Sequence, residues 1–185
     1  MKVGVLAVQG AFIEHENILN ELGVSTIELR KKSDLDKDFD RLVLPGGEST
    51  VQGKLLVDLD MFDELKDRII LGMPVLATCA GLILLAENIV NDSRSWFRTL
   101  PVSVVRNAYG RQLGSFHYDG IIEGIGIFPM EFIRAPYIES ISNDVEVLAR
   151  VDDKITAVKY KKQLGLSFHP ELSDNYNIHK MFLEM

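Results

Sequence analysis

A lone cysteine, Cys79, sits in the segment LATCAGLILLA, residues 76–86, of a 185-residue chain. One cysteine allows no internal disulfide and excludes a cysteine-rich zinc site. Small residues frame it: Ala77 two before, Ala80 next, Gly81 two after. This is the spacing of a nucleophile elbow, with Cys in the serine position. A tight strand-to-helix turn holds the nucleophile in a strained backbone, so bulky neighbours would clash. The turn also sets the sulfur beside a helix N-terminus, where partial positive charge favours thiolate. The N–H of Ala80 then points toward a developing oxyanion.

A thiolate nucleophile needs a base, and the base needs an orienter. The histidines are His15, His117, His169 and His179, and His169 stands in SFHPE. A residue before proline is pushed toward extended geometry, and in an extended chain positions i and i+2 project to one side. Glu171 is thereby placed to reach the His169 ring, fix its tautomer and stabilise imidazolium. The third piece is LPGGEST, residues 44–50. A strand running into Pro-Gly-Gly suits close approach of backbone to ligand, with Gly47 offering a second oxyanion donor. As a phosphate loop it is poor, because the G-x-x-x-x-G-K pattern is absent.

These pieces need a scaffold. An apolar run at residues 3–8 reads as a strand buried on both faces. A helical stripe at 12–22 stops at Gly23, and strands follow at 24–29 and 41–44. Helical spacing over 55–71 stops at Gly72, and 75–77 is a short strand before Cys79 and a helix at 81–86. Beyond it, strands are predicted at 102–105, 112–118, 128–133, 145–151, 155–160 and 164–168, with turns at Asp152-Asp153 and Lys161-Lys162. A helix at 178–183 closes the chain. The expected architecture is α/β: one flavodoxin-like, three-layer domain over residues 1–185. Its central sheet is mostly parallel with helices on both faces, and a few antiparallel strands come from the C-terminal half. On such sheets ligands bind at the carboxyl ends of the strands, where Cys79, His169 and the Gly-Gly loop all fall.

The apolar fraction is 46% and the charged fraction 25%, as in ordinary globular proteins. A formal charge of −7 argues against non-specific nucleic-acid binding, which is driven by neutralising phosphates. No stretch approaches the roughly 20 apolar residues of a membrane span. The apolar N-terminal run is too short for a signal peptide, so the chain is expected in the cytoplasm. No two histidines share a ligand-like spacing, and neither metal nor cofactor is expected.

The elbow, the GGEST loop and the HPE segment together resemble class I glutamine amidotransferases. VLAVQGAFIEHE (residues 5–16), RNAYGRQ (106–112), FIRAPYI (132–138) and SFHPEL (167–172) resemble one branch, the glutaminase subunits of pyridoxal 5′-phosphate synthase, over nearly the whole chain. The resemblance implies release of ammonia from glutamine. Cys79 would form a γ-glutamyl thioester, with His169 as acid and base, Glu171 as its orienter, and Gly47 and Ala80 as oxyanion donors. Gly46, Gly47, Glu48, Ser49, Arg106, Ile133 and Arg134 would hold the substrate. It also implies a partner, a barrel-shaped synthase subunit in a hetero-oligomeric complex, with Gln9 and His15 at the interface; a solvated helix position is the alternative for His15. Three positions depart from the family pattern: Ala77 in place of a usual glycine, Val51 after GGEST, and His117 where an acidic residue is frequent. Competing readings are a glutaminase of histidine or purine synthesis, a cysteine peptidase or chaperone of similar fold, and a catalytically silent binding subunit.

Overall fold

The N-terminal half of the chain alternates strand and helix. The computed structural model describes residues 1–90, 92–106 and 114–185. Its elements are β1 (Lys2–Leu6), α1 (Phe12–Glu21), β2 (Ser25–Leu29), β3 (Arg41–Leu44), α2 (Ser49–Asp58), α3 (Phe62–Ile70), β4 (Val75–Thr78), α4 (Ala80–Leu85) and β5 (Ala86–Ile89). There follow β6 (Leu100–Val105), β7 (Ser115–Ile122), β8 (Gly126–Ile133), β9 (Tyr137–Ile141), β10 (Glu146–Val151), β11 (Lys154–Tyr160), β12 (Gln163–Leu166) and α5 (Asn177–Leu183).

Among the described residues a ten-stranded sheet runs in the order β2-β1-β3-β4-β12-β11-β9-β6-β5, with β10 paired to β11. The first five strands in that order are mutually parallel, and β12 takes the fifth place of the flavodoxin-like series. The remaining pairings are antiparallel, apart from β5 with β6. Strands β7 and β8 form a separate antiparallel pair. In β3 the side chains of Leu42 and Leu44 join one core while Val43 joins the other, all fully buried, as a strand covered on both faces requires. Leu56, Leu65, Ile69 and Leu82 bring α2, α3 and α4 to the first face. Leu19, Ile178 and Phe182 bring α1 and α5 to the second. The expected three layers are present.

Four points of the expected layout need correcting. The single helix predicted over 55–71 is two helices, α2 and α3, and α2 starts at Ser49, where the Glu48 side chain accepts the Val51 N–H at 2.8 Å. The break falls at Asp60, whose φ of +54° closes a Schellman-type turn: Asp60 N–H bonds Val57 O and Met61 N–H bonds Leu56 O. The helix after Cys79 ends at Leu85, and Ala86 opens β5 as an added strand. Strand β9 was not anticipated; it pairs with β6 and β11. The strand predicted over 112–118 is β7 from Ser115, and positions 112 and 113 lie outside the described residues.

Candidate active site

Two neighbouring strands deliver the chemistry. β4 and β12 pair in parallel with Thr78 opposite Leu166, and the Cys79 N–H donates to Leu166 O at 2.8 Å. The residues that follow each strand therefore leave the sheet at one carboxyl edge. Cys79 turns sharply there, with φ +48° and ψ −99°, and α4 begins at the next residue. Such a conformation costs a non-glycine residue about 1–3 kcal/mol and is a mark of functional sites. Gly81 has a separate reason: a Cβ there would lie 2.0 Å from Leu44 O, so only glycine lets α4 sit this close to β3. Ala77 is free of left-handed strain, which is why its methyl fits.

The chain beyond β12 is pinned by a bond from His169 N–H to Glu131 O on β8, at 2.8 Å. His169 Nδ1 then lies 2.7 Å from Glu171 Oε1, both residues being buried. The contact is made across a 3₁₀ turn, Pro170–Leu172, rather than along an extended chain as predicted. Burial disfavours a charged His169 ring, but the Cys79 sulfur and the Glu171 carboxylate outweigh it and raise the imidazole to about 10. Burial likewise pushes the Glu171 carboxyl up, and the His15 and His169 rings more than reverse this, so it is held low and ionised. Cys79 Sγ also lies 3.9 Å from Ile133 O.

A cavity of about 340 Å³ opens on this edge. Its lining includes Cys79, His169, Gly46, Gly47, Glu48, Ser49, Arg106, Ile133 and Arg134, together with Gln9, Ala11 and Ile83. Of the predicted reaction and substrate residues, only Ala80 and Glu171 stand behind it. The Gly-Gly loop is clamped from below: Gly46 O accepts the Ala11 N–H, Gln9 Oε1 accepts the Glu48 N–H, and the Gln52 amide donates to Gln9 O and Pro45 O. A Cβ on Gly46 would sit 2.4 Å from His169 Cε1, so the loop touches the imidazole edge. Arg106 is engaged already, with Nη2 2.9 Å from Glu48 Oε1 and Nη1 3.3 Å from Asp92 Oδ2. Asp92 is held well below the usual carboxylate range, first by Arg94 and then by Arg106. The rest of the RNAYGRQ segment, 107–112, lies outside the described residues.

Gln9 is half-buried at the rim, against the Gly47 backbone. His15 is neither at a surface nor solvated: its side chain is fully buried, which overturns both readings of it. It faces Glu171, Thr78 and His179 because α1 packs its inner face against the sheet edge where β4 ends. His117 is exposed on β7 and pairs with Glu131 and Asp119, which raise it above the ordinary imidazole range. Sequence reasoning also passed over Gln52, whose fully buried amide sits one helical turn after Glu48. No group of metal-ligating side chains is assembled among the described residues, and no helix there is long and apolar enough to cross a membrane.

A cysteine elbow, a His-Glu pair and a Gly-Gly loop at one edge of a doubly wound sheet define a class I amidotransferase site. The chain belongs to the SNO glutamine amidotransferase family, whose model matches residues 5–185. It is 62% identical over 184 residues to the pyridoxal 5′-phosphate synthase subunit PdxT of Desulfitobacterium hafniense (strain DSM 10664 / DCB-2), covering 100% of this chain and 92% of that protein. It is 50% identical over 188 residues to the PdxT subunit of Streptococcus pneumoniae (strain CGSP14), covering 100% and 97%. A crystal structure of a glutamine amidotransferase superposes with a TM-score of 0.93 at 44% identity, covering 98% of this chain and 97% of that one.

Proposed function

We propose that this protein is the glutaminase subunit of a pyridoxal 5′-phosphate synthase, hydrolysing L-glutamine to L-glutamate and ammonia. The observation that carries the reading is the meeting of Cys79, the His169–Glu171 pair and the Gly46-Gly47 loop on one cavity, in a chain of this family. In the reaction the Cys79 thiolate attacks the carboxamide carbon. The oxyanion is met by the Gly47 N–H and by the Ala80 N–H, an orphan donor of the first turn of α4. His169, held as imidazolium by Glu171, gives its proton to the departing nitrogen; the C–N bond breaks and a γ-glutamyl thioester remains. His169 then takes a proton from water, which attacks the thioester, and glutamate leaves as the thiolate is restored. Arg106 and the Ile133-Arg134 segment are assigned to the α-carboxylate end, with Gly46, Glu48 and Ser49 lining the rest. Arginine suits that task because its planar fork pairs with a carboxylate in two places.

The PdxT relatives are named as synthase subunits, which supports a synthase partner for this chain and favours this branch over histidine or purine synthesis. We assign that partner as a barrel protein in a hetero-oligomeric complex, receiving ammonia internally, with Gln9 beside the contact. Residues 1–185 act as one glutaminase domain, in the cytoplasm. The test is glutamate release from glutamine with and without the synthase subunit, against Cys79→Ala as the blank. Cys79-dependent release that rises with the synthase is the expected result. Folded protein that releases no glutamate under either condition would instead make the chain a silent binding subunit.

A further inference from the structure

Two fully buried histidines, His15 on α1 and His179 on α5, have no task in the reaction as written. His15 Nδ1 lies 3.0 Å from His179 Nε2. Its other nitrogen, Nε2, lies 3.3 Å from Thr78 Oγ1 and 3.3 Å from Glu171 Oε2. Thr78 is the last residue of β4, next to Cys79, and Glu171 follows β12. One imidazole from a third element thus touches both segments that carry the triad.

The proton arrangement follows from what each atom faces. Burial disfavours the charged form of both rings, so each is neutral. A proton on His15 Nδ1 would leave the Nε2 lone pair facing a carboxylate. It would also force the His179 proton onto Nδ1, a buried atom without a partner, and leaving a buried donor unpaired is destabilising. With the proton on Nε2, His15 donates to Thr78 Oγ1, sets the positive edge of that N–H against Glu171 Oε2, and accepts the His179 Nε2–H at Nδ1. His179 Nδ1 is then only an unused acceptor.

Glu171 needs such a contact. Its Oε1 is taken by His169 at 2.7 Å, while Oε2 is buried without a hydrogen bond and has the His15 Nε2 at ion-pair distance, 3.3 Å. The last torsion of a glutamate is broad and shallow, so a carboxylate anchored at one oxygen swivels. We propose that His15 is a positioning residue for glutamine hydrolysis: its Nε2–H edge, 3.3 Å from Oε2, holds the rotation of the Glu171 carboxylate against His169 electrostatically, and His179 locks the tautomer of His15. The inference rests on the reading of Cys79, His169 and Glu171 as the triad.

The test is a matched pair of amides, His15→Asn and His15→Gln. The Gln amide extends to the position of imidazole Nε2 and keeps a donor for Glu171. The Asn amide ends at the position of Nδ1, keeps a partner for His179 and falls short of Glu171. The Asn variant is expected to lose about 10- to 100-fold in kcat, by analogy with the range seen when outer partners of metal-ligating histidines are removed, with KM for glutamine unchanged. The titratable groups facing His15 are Glu171, His169, His179 and Glu14. Among them only Glu171 loses a facing N–H in Asn relative to Gln, so its carboxyl takes a proton at higher pH and the acid limb of kcat moves up. The Gln variant is expected to keep the parent limb and most of the parent kcat. Equal activity and equal limbs in the two variants would overturn the proposal. Nitrogen-15 imidazole spectra of the parent protein decide it independently of folding: both His15 and His179 must read as Nε2–H, and Nδ1–H on His15 overturns it. Release persisting in Cys79→Ala or His169→Asn would instead sink the triad itself, whatever His15 does.

Discussion

Gly46→Ala should disable the site while leaving the fold standing. The added Cβ would lie 2.4 Å from His169 Cε1 and 2.9 Å from Nδ1, whereas ordinary contact begins near 3.4 Å. The ring must therefore retreat by about 1 Å, the difference between 3.4 and 2.4. It cannot do so without stretching the 2.7 Å bond to Glu171 or withdrawing Nε2 from Cys79. A misplacement of this size costs about 100-fold in rate, or about 2.7 kcal/mol in the barrier. Gly46 is not among the residues with positive φ, so alanine brings no left-handed strain. Stability should consequently fall little, and thermal unfolding is the control. The assay is kcat for glutamate release in the presence of the synthase subunit. A folded Gly46→Ala enzyme with the kcat of the parent would refute the argument that the loop and the imidazole are in hard contact.

Replacing His169 by Asn should abolish release, by at least about 10⁴-fold in kcat, with near-parent circular dichroism; unchanged turnover would remove it from the mechanism. Arg106→Ala should raise KM for glutamine by about 10- to 100-fold, as expected for a charge-assisted contact worth about 1.5–3 kcal/mol, and lower kcat less. An unaltered glutamine dependence would discard that assignment. Stability should fall on acidification below about pH 6.5. Burial holds His15 below its ordinary range and, with help from the neighbouring His15 ring, brings His179 to about 2. The unfolded chain takes up protons there that the native state refuses, at about 1.4 kcal/mol per pH unit for each histidine. His169 works oppositely: raised to about 10, its contribution is full below pH 6.5 and lost as pH rises toward 10. Urea unfolding between pH 5 and 7 reads the acid side, and a flat profile would contradict burial of two neutral imidazoles.

The legible parts of the molecule were those written in local chemistry. Helices α1 and α3 end in a left-handed glycine, Gly23 and Gly72, and both stops were readable. Helix α2 ends in the same hydrogen-bonding pattern with Asp60 in the left-handed position, and without a glycine the apolar period ran on into α3. The elbow, the His-Pro-Glu turn and the Gly-Gly loop were visible because each needs particular residues at fixed short spacing. The His15–His179 pair was not, because its partners are 164 positions apart and meet only when α1 and α5 dock on the same face. Arg106 was legible as a cation, but its pairing with Asp92 depends on how two loops pass each other.

The place of β12 in the sheet has a further consequence. It is the last strand in the sequence, yet it lies between β4 and β11 and joins the parallel and antiparallel halves of the sheet. The nucleophile is synthesised 90 residues before its base, from position 79 to position 169. Until β12 slots in, the Cys79 N–H lacks the Leu166 carbonyl that fixes the elbow, and no imidazole stands beside the sulfur. The long loop that closes at this step is the slow kind of contact in folding. A nascent or partly unfolded chain therefore carries an unarmed thiol, and capacity to liberate ammonia arrives only with the completed sheet.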